Sequence, residues 1–236
     1  MAVVGFDTAT ADTAVCATRG GEVLHEELLG LASDGSLRHS TALLAEVERA
    51  AAAAGGWGAV GRIAVGLGPG SFVGIRIGIA TARGLSASTG LPLSGVCTLD
   101  ALGRALGEEP AAAGRSRLAV LDARRGEVFA ALYSPAAERL WQPLVAAPAE
   151  LAERVAKLPA PPLAAGSGAV RFRDDLASHG VDVPGDADPV HRVAARHVCA
   201  LAEAAPAQGD ERPEPIYLRA PDAERWRERD TSKRAE

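Results

Sequence analysis

The sequence predicts a duplicated α/β fold, and three features of the chain point to it. An apolar strand running into an aspartate, a polar turn and a returning strand occurs twice. Ala2 to Phe6 meets Asp7 and returns over Thr13 to Thr18; Arg117 to Leu121 meets Asp122 and returns over Glu127 to Tyr133. Each hairpin is followed by helical stretches that alternate with short apolar runs. Apolar residues make up 47% of 236 positions, enough for a sizeable core in one domain or two lobes.

The elements follow in order. After the first hairpin, Arg19-Gly20-Gly21 makes a turn and Glu22 to Leu29 reads as a third strand, completing an antiparallel meander. Leu37 to Ala54 is helical: Leu43, Leu44, Val47, Ala50, Ala51 and Ala54 keep the spacing of one helix face, and Gly55-Gly56 stops it. A strand over Arg62 to Leu67 leads through a glycine-proline turn into a helix over Ser71 to Ser88, with Ser71 as N-cap. Leu93 to Val96 reads as a strand and Leu99 to Leu106 as a helix. Beyond the second hairpin, Pro148 to Leu158 is helical and Pro159 to Pro162 is a stiff connector into a short strand before Gly166. A loop over Asp182 to Pro189 precedes an amphipathic helix over Val190 to Ala204. The lobes are expected at 1–103 and 104–220, with a charged, disordered tail over 221–236.

The helix over 71–88 is unusual. Gly74, Gly78 and Ala82 recur every four residues and strip one face of side chains. Each interior glycine costs roughly 1 kcal/mol against alanine, so close approach by another backbone is expected to offset it. Phe72, Val73, Ile75, Ile77, Ile79 and Leu85 make the other faces apolar, with Arg76 and Arg83 the charged exceptions. Periodicity favours a helix buried in its own core over one that shares a face with another protein.

Charge and composition exclude several classes. The net charge of -5 argues against a chain that grips RNA phosphates unaided. No apolar run approaches membrane-spanning length, and the N-terminus lacks a secretory pattern. Cys16, Cys97 and Cys199 are isolated, as expected of reduced thiols in a cytoplasmic protein.

Little catalytic equipment is legible. Gly66-x-Gly68-x-Gly70-Ser71 lacks the lysine of a P-loop and the glycine spacing of a dinucleotide fingerprint. It reads as a tight turn, with anion binding at the helix start as the alternative. Asp7, Gly68 and Asp122 are the candidates for holding a phosphate or a metal-bound nucleotide; turn-capping is the plainer role for both aspartates. No histidine pair has helical metal-site spacing, and Ser71 lacks the frame of a hydrolase nucleophile. Catalytic residues, cofactors and metals are therefore all expected to be none.

Five motifs occur in a telling order: Asp7-Thr8-Ala9-Thr10; Arg38-His39-Ser40 with Leu43-Leu44; Gly68-Pro69-Gly70-Ser71-Phe72-Val73-Gly74-Ile75-Arg76-Ile77-Gly78; Asp122-Ala123-Arg124-Arg125-Gly126-Glu127-Val128-Phe129; and Pro215-Ile216-Tyr217-Leu218-Arg219. With them the chain resembles the TsaB (YeaZ) family of bacterial tRNA threonylcarbamoyladenosine synthesis, as far as about Arg219. The resemblance implies a two-lobed actin/sugar kinase/Hsp70-like fold, duplicated on a ribonuclease H-like unit. It implies a scaffold without catalysis of its own, paired with a TsaD-type transferase and joined by a TsaE-type ATPase. It implies contact with tRNA only through the complex, and homodimers when the partner is absent. His39 stands alone where the transferase carries a metal-binding histidine pair. The partner surface it implies lies on the helices 37–54 and 71–88: His39, Leu43, Leu44 and Val47 on the first, and Gly74, Ile75, Arg76, Gly78, Ile79, Ala82 and Arg83 on the second. The competing reading is an actin-like enzyme that binds nucleotide through Asp7 and Asp122.

Overall fold

The computed structural model describes residues 1–206 and 213–219. Strands β1 (Ala2–Asp7), β2 (Thr13–Arg19) and β3 (Glu22–Leu29) form an antiparallel meander. Helix α1 (His39–Ala53) crosses to β4 (Val60–Gly66), parallel to β1; α2 (Phe72–Thr89) crosses to β5 (Leu93–Val96), parallel to β4. The sheet order is β3-β2-β1-β4-β5. After α3 (Thr98–Leu106) the unit repeats. Strands β6 (Arg117–Arg124), β7 (Glu127–Tyr133) and β8 (Arg139–Ala146) form a second meander. Helix α4 (Pro148–Val155) leads to β9 (Leu163–Ala165), parallel to β6, in a sheet ordered β8-β7-β6-β9. Helices α5 (Ser167–Arg171), α6 (Arg173–Ala177) and α7 (Ala195–Ala204) follow.

Alternation along the strands sorts the core into layers. Val4 and Phe6 of β1 and Val15 of β2 face Leu43 and Val47 of α1 and Ile75 and Ile79 of α2. Val3 and Cys16 point to the opposite face, where Leu99 and Leu102 of α3 and Val198 and Cys199 of α7 meet Leu121 and Phe129 of the second sheet. Side chains at even and odd positions thus serve different layers, as the two-residue period of a strand requires. A third cluster buries Leu118 and Leu132 of the second sheet under Leu151 of α4 and Leu176 of α6.

Two expectations need correction. Strand β8 was not anticipated: Leu140, Trp141 and Leu144 are interrupted by Gln142 and Pro143, and proline is tolerated there because β8 is an edge strand. The helix expected over Val190 to Ala204 begins only at Ala195. Pro189–His191 is a single 3₁₀ turn capped by the Asp188 carboxylate, and Ala194 is extended. Helix α7 also lies on the first sheet, so the range 104–220 contains an element packed against the other half. The expected tail over 221–236 lies outside the described residues.

Candidate functional site: an outward helix face beside two closed aspartates

Helices α1 and α2 lie side by side on one face of the first sheet, and their inward faces are spent on it. Ser71 caps α2, accepting the Gly74 N–H at 3.2 Å, and Gly90 ends it in the left-handed conformation. Gly74 and Gly78 are turned toward the β1–β2 turn. The Thr8 hydroxyl donates to the Gly74 carbonyl at 2.7 Å, and the Thr8 backbone oxygen fills the space a Cβ on Gly74 would need. At Gly78 a Cβ would meet the Thr8 hydroxyl. The small-residue stripe is an internal contact, and this is what offsets the helix cost of two glycines.

Burial divides the expected partner surface in two. His39, Leu43, Val47, Gly74, Ile75, Gly78, Ile79 and Ala82 are buried within the chain itself. Leu44, Arg76 and Arg83 face outward, and Leu44 is 56% exposed. Beside them stand Val73, 61% exposed, and the small residues Ala80, Gly84 and Ala87, all exposed. Among the described residues, no atom lies within contact distance of the position a Cβ on Gly84 would take. The periodicity of both helices located the apolar faces; it could not say which one the chain's own sheet would take.

His39 opens α1 and ties it to the same turn. Its Nδ1 lies 2.9 Å from the Thr13 hydroxyl and its Nε2 lies 3.2 Å from the Thr10 carbonyl oxygen. Both ring nitrogens are engaged, and burial lowers its pKa, which favours the neutral ring.

The C-terminal segment reaches this face. The Ile216 N–H donates to the Leu67 carbonyl at 2.8 Å, and Arg83 donates to the Pro213 carbonyl at 2.9 Å. The Tyr217 ring sits 5.3 Å from that of Phe72. Arg76 lies 3.7 Å above the Phe72 ring and donates from Nε to the Tyr217 oxygen at 3.1 Å. Arg219 then pairs with Glu127 at the turn end of the β6–β7 hairpin, 2.6 Å away. One short segment therefore joins the start of α2 to the second sheet.

The three candidate ligand-holding residues do not form one site. Asp7 is buried: its Oδ1 accepts the Ala9 N–H at 2.7 Å and its Oδ2 accepts the Thr98 hydroxyl at 2.6 Å. Burial is the largest influence and raises its pKa, against the lowering effect of these bonds. Gly68 joins through Thr98, donating its N–H to that hydroxyl at 3.1 Å. Thr98 was not singled out from the sequence, where it sat ahead of the expected helix start. Asp122 belongs to a separate network. It accepts the Arg124 N–H at 2.8 Å and pairs with Arg171 at 2.8 Å, while its own N–H donates to Ser167.

The duplication extends to these details. Asp7 accepts from residue 9 and Asp122 from residue 124, the same turn in each half. After each parallel strand a glycine N–H donates to a later side chain, Gly68 to Thr98 and Gly166 to the His191 Nδ1. No group of three or more histidine, cysteine, aspartate or glutamate side chains is placed to hold a metal ion among the described residues. No helix among them is long and apolar enough to cross a membrane.

A repeated meander with parallel extensions in two sheets defines a duplicated two-sheet α/β protein. The family model described as "TsaD: tRNA N6-adenosine threonylcarbamoyltransferase" matches residues 33–182. The chain is 34% identical over 144 residues to the Escherichia coli tRNA threonylcarbamoyladenosine biosynthesis protein TsaB, covering 60% of this chain and 58% of that one. It is 31% identical over 140 residues to the Bacillus subtilis protein of the same description, covering 56% and 55%. The matched part thus spans little more than half the length of these relatives. The solved structure of YeaZ from Pseudomonas aeruginosa shares the fold, with a TM-score of 0.74 at 24% identity, over 92% of this chain and 99% of that one. The chain belongs to the TsaD family, and within it to the TsaB/YeaZ group.

Proposed function

We propose that this chain serves tRNA threonylcarbamoyladenosine biosynthesis as a non-catalytic subunit, docking the outward face of α1 and α2 on a TsaD-type transferase, with a TsaE-type ATPase completing the complex. The observation that carries this reading is the division of the helix pair. Its inward side is consumed by the first sheet, yet its outward side keeps Leu44 and Val73 exposed. Large apolar side chains on neighbouring helices mark a protein-binding surface. Gly84 adds to the reading: among the described residues its helix cost has no internal contact to offset it, unlike those of Gly74 and Gly78. In the absence of the transferase the same face would pair two copies of the chain.

The competing reading is nucleotide chemistry through Asp7 and Asp122, but Asp7 is buried and the two carboxylates belong to separate hydrogen-bond networks. Reconstitution separates the two. The chain is combined with the transferase, the ATPase, threonylcarbamoyl-adenylate, ATP and unmodified tRNA, and the modified adenosine is quantified with each protein omitted in turn. A requirement for this chain, together with no turnover by it alone, supports the docking subunit. Modification at the same rate without it overturns the proposal.

A further inference from the structure

A cavity of about 360 Å³ opens on the far side of the molecule from the α1–α2 face, between the C-terminal half of α3, the paired strands β6 and β7, and the turn before β8. Its volume is that of a small-molecule site. Three guanidinium groups line it, from Arg104, Arg117 and Arg139, against the carboxylates of Asp100 and Glu108. Among the described residues, only one of these guanidiniums is neutralised by a carboxylate. Arg139 is paired with Asp100, which also accepts the Tyr133 hydroxyl at 2.7 Å. Glu108 lies nearest His197, at 3.6 Å.

Arg104 and Arg117 have no carboxylate partner among the described residues. Arg117 is held in place by packing over Gly107 and by one bond, from Nη2 to the Pro135 carbonyl at 2.6 Å. Its Nε is buried with no acceptor among the described residues. An orphaned guanidinium nitrogen on a residue that lines the cavity leaves this wall short of an acceptor. A guanidinium prefers a planar or tetrahedral oxyanion that takes two hydrogen bonds at once. The local excess of cations also runs against the chain's overall charge of -5.

We propose that this cavity binds a small multiply charged anion, an organic phosphate or polycarboxylate, held by Arg104 and Arg117 with the Tyr133–Asp100–Arg139 network fixing the opposite wall. The site shares no lining residue with the docking face, and Asp7 is not among its lining residues. Titration calorimetry of the full chain with pyrophosphate, and separately with citrate, tests it. Saturable binding with one site per chain is expected, weakened at least tenfold in Arg104→Ala and in Arg117→Met, and unchanged in Asp7→Asn. Preference for one probe assigns the phosphate or the carboxylate source. Arg104 is exposed and its side chain makes no hydrogen bond among the described residues, so its variant tests binding without threatening the fold. No saturable heat with either probe at millimolar concentration, equal binding in Arg104→Ala, or loss in Asp7→Asn would each overturn the proposal.

Discussion

Thr8 and Gly74 are locked together at the centre of the first lobe. The hydroxyl of one donates to the carbonyl of the other at 2.7 Å, and the Thr8 backbone occupies the place of a Gly74 side chain. Gly74→Ala is therefore expected to destabilise the protein, although alanine is the better helix former. The gain in propensity is about 1 kcal/mol, while overpacking against backbone typically costs about 1–3 kcal/mol or more. Gly84→Ala is the matched control. With open space above it, that change should raise stability by up to about 1 kcal/mol. Denaturant melts of the two variants should shift in opposite directions; shifts of the same sign would show that the contact does not decide the outcome.

The same pair of glycines separates stability from partner binding. If α2 approaches a partner helix closely, Gly84→Ala should stabilise the isolated chain and yet weaken its complex. Size-exclusion analysis with the transferase reads this directly. Unchanged complex formation would mean that Gly84 is merely exposed.

Charge substitutions sort the two faces more sharply. Leu44→Glu and Val73→Glu place a carboxylate in solvent, so the melting temperature should change little. Partner binding and homodimerisation should fall by tenfold or more if the outward face is the interface. Ile79→Glu instead buries a charge in a residue 5% exposed and should unfold the lobe, which makes it a poor probe of binding. Full assembly by Leu44→Glu and Val73→Glu together would remove α1 and α2 from the interface.

How much of this was legible in the sequence depends on the kind of contact. The two hairpins were legible because a strand that ends in an aspartate and a turn carries its own local signal. The Ser71 cap and the Gly90 stop were legible for the same reason. Strand β8 was not, because Gln142 and Pro143 break its alternation and only its pairing with β7 makes it a strand. The buried side of α2 could not be read either. That helix is apolar nearly all round, so periodicity gave no direction, and Thr8 lies 66 residues away in sequence. Thr98 illustrates the limit for the site: nothing local marks the residue that links Asp7 to Gly68.

The last prediction concerns acid. Burial, and after it the charges of Arg196 and Arg104, lowers the His197 pKa from 6.5 to about 4. Glu108, 3.6 Å away, is the acidic group beside it and is half exposed. A depressed histidine pKa means that the unfolded chain binds a proton more readily than the folded one. Stability from this group is therefore complete above pH 6.5 and is lost as pH falls toward about 4, with no further loss below. The full effect is at most about 3 kcal/mol. His39, also lowered by burial, acts with the same sign. Asp7 acts with the opposite sign: its raised pKa makes its ionisation a cost that grows as pH rises. Replacing His197 with Gln should flatten the decline in unfolding free energy between pH 6.5 and pH 4, measured by urea melts at each pH. An equally steep decline in the variant would assign the acid sensitivity to other groups, with His39 the first to replace.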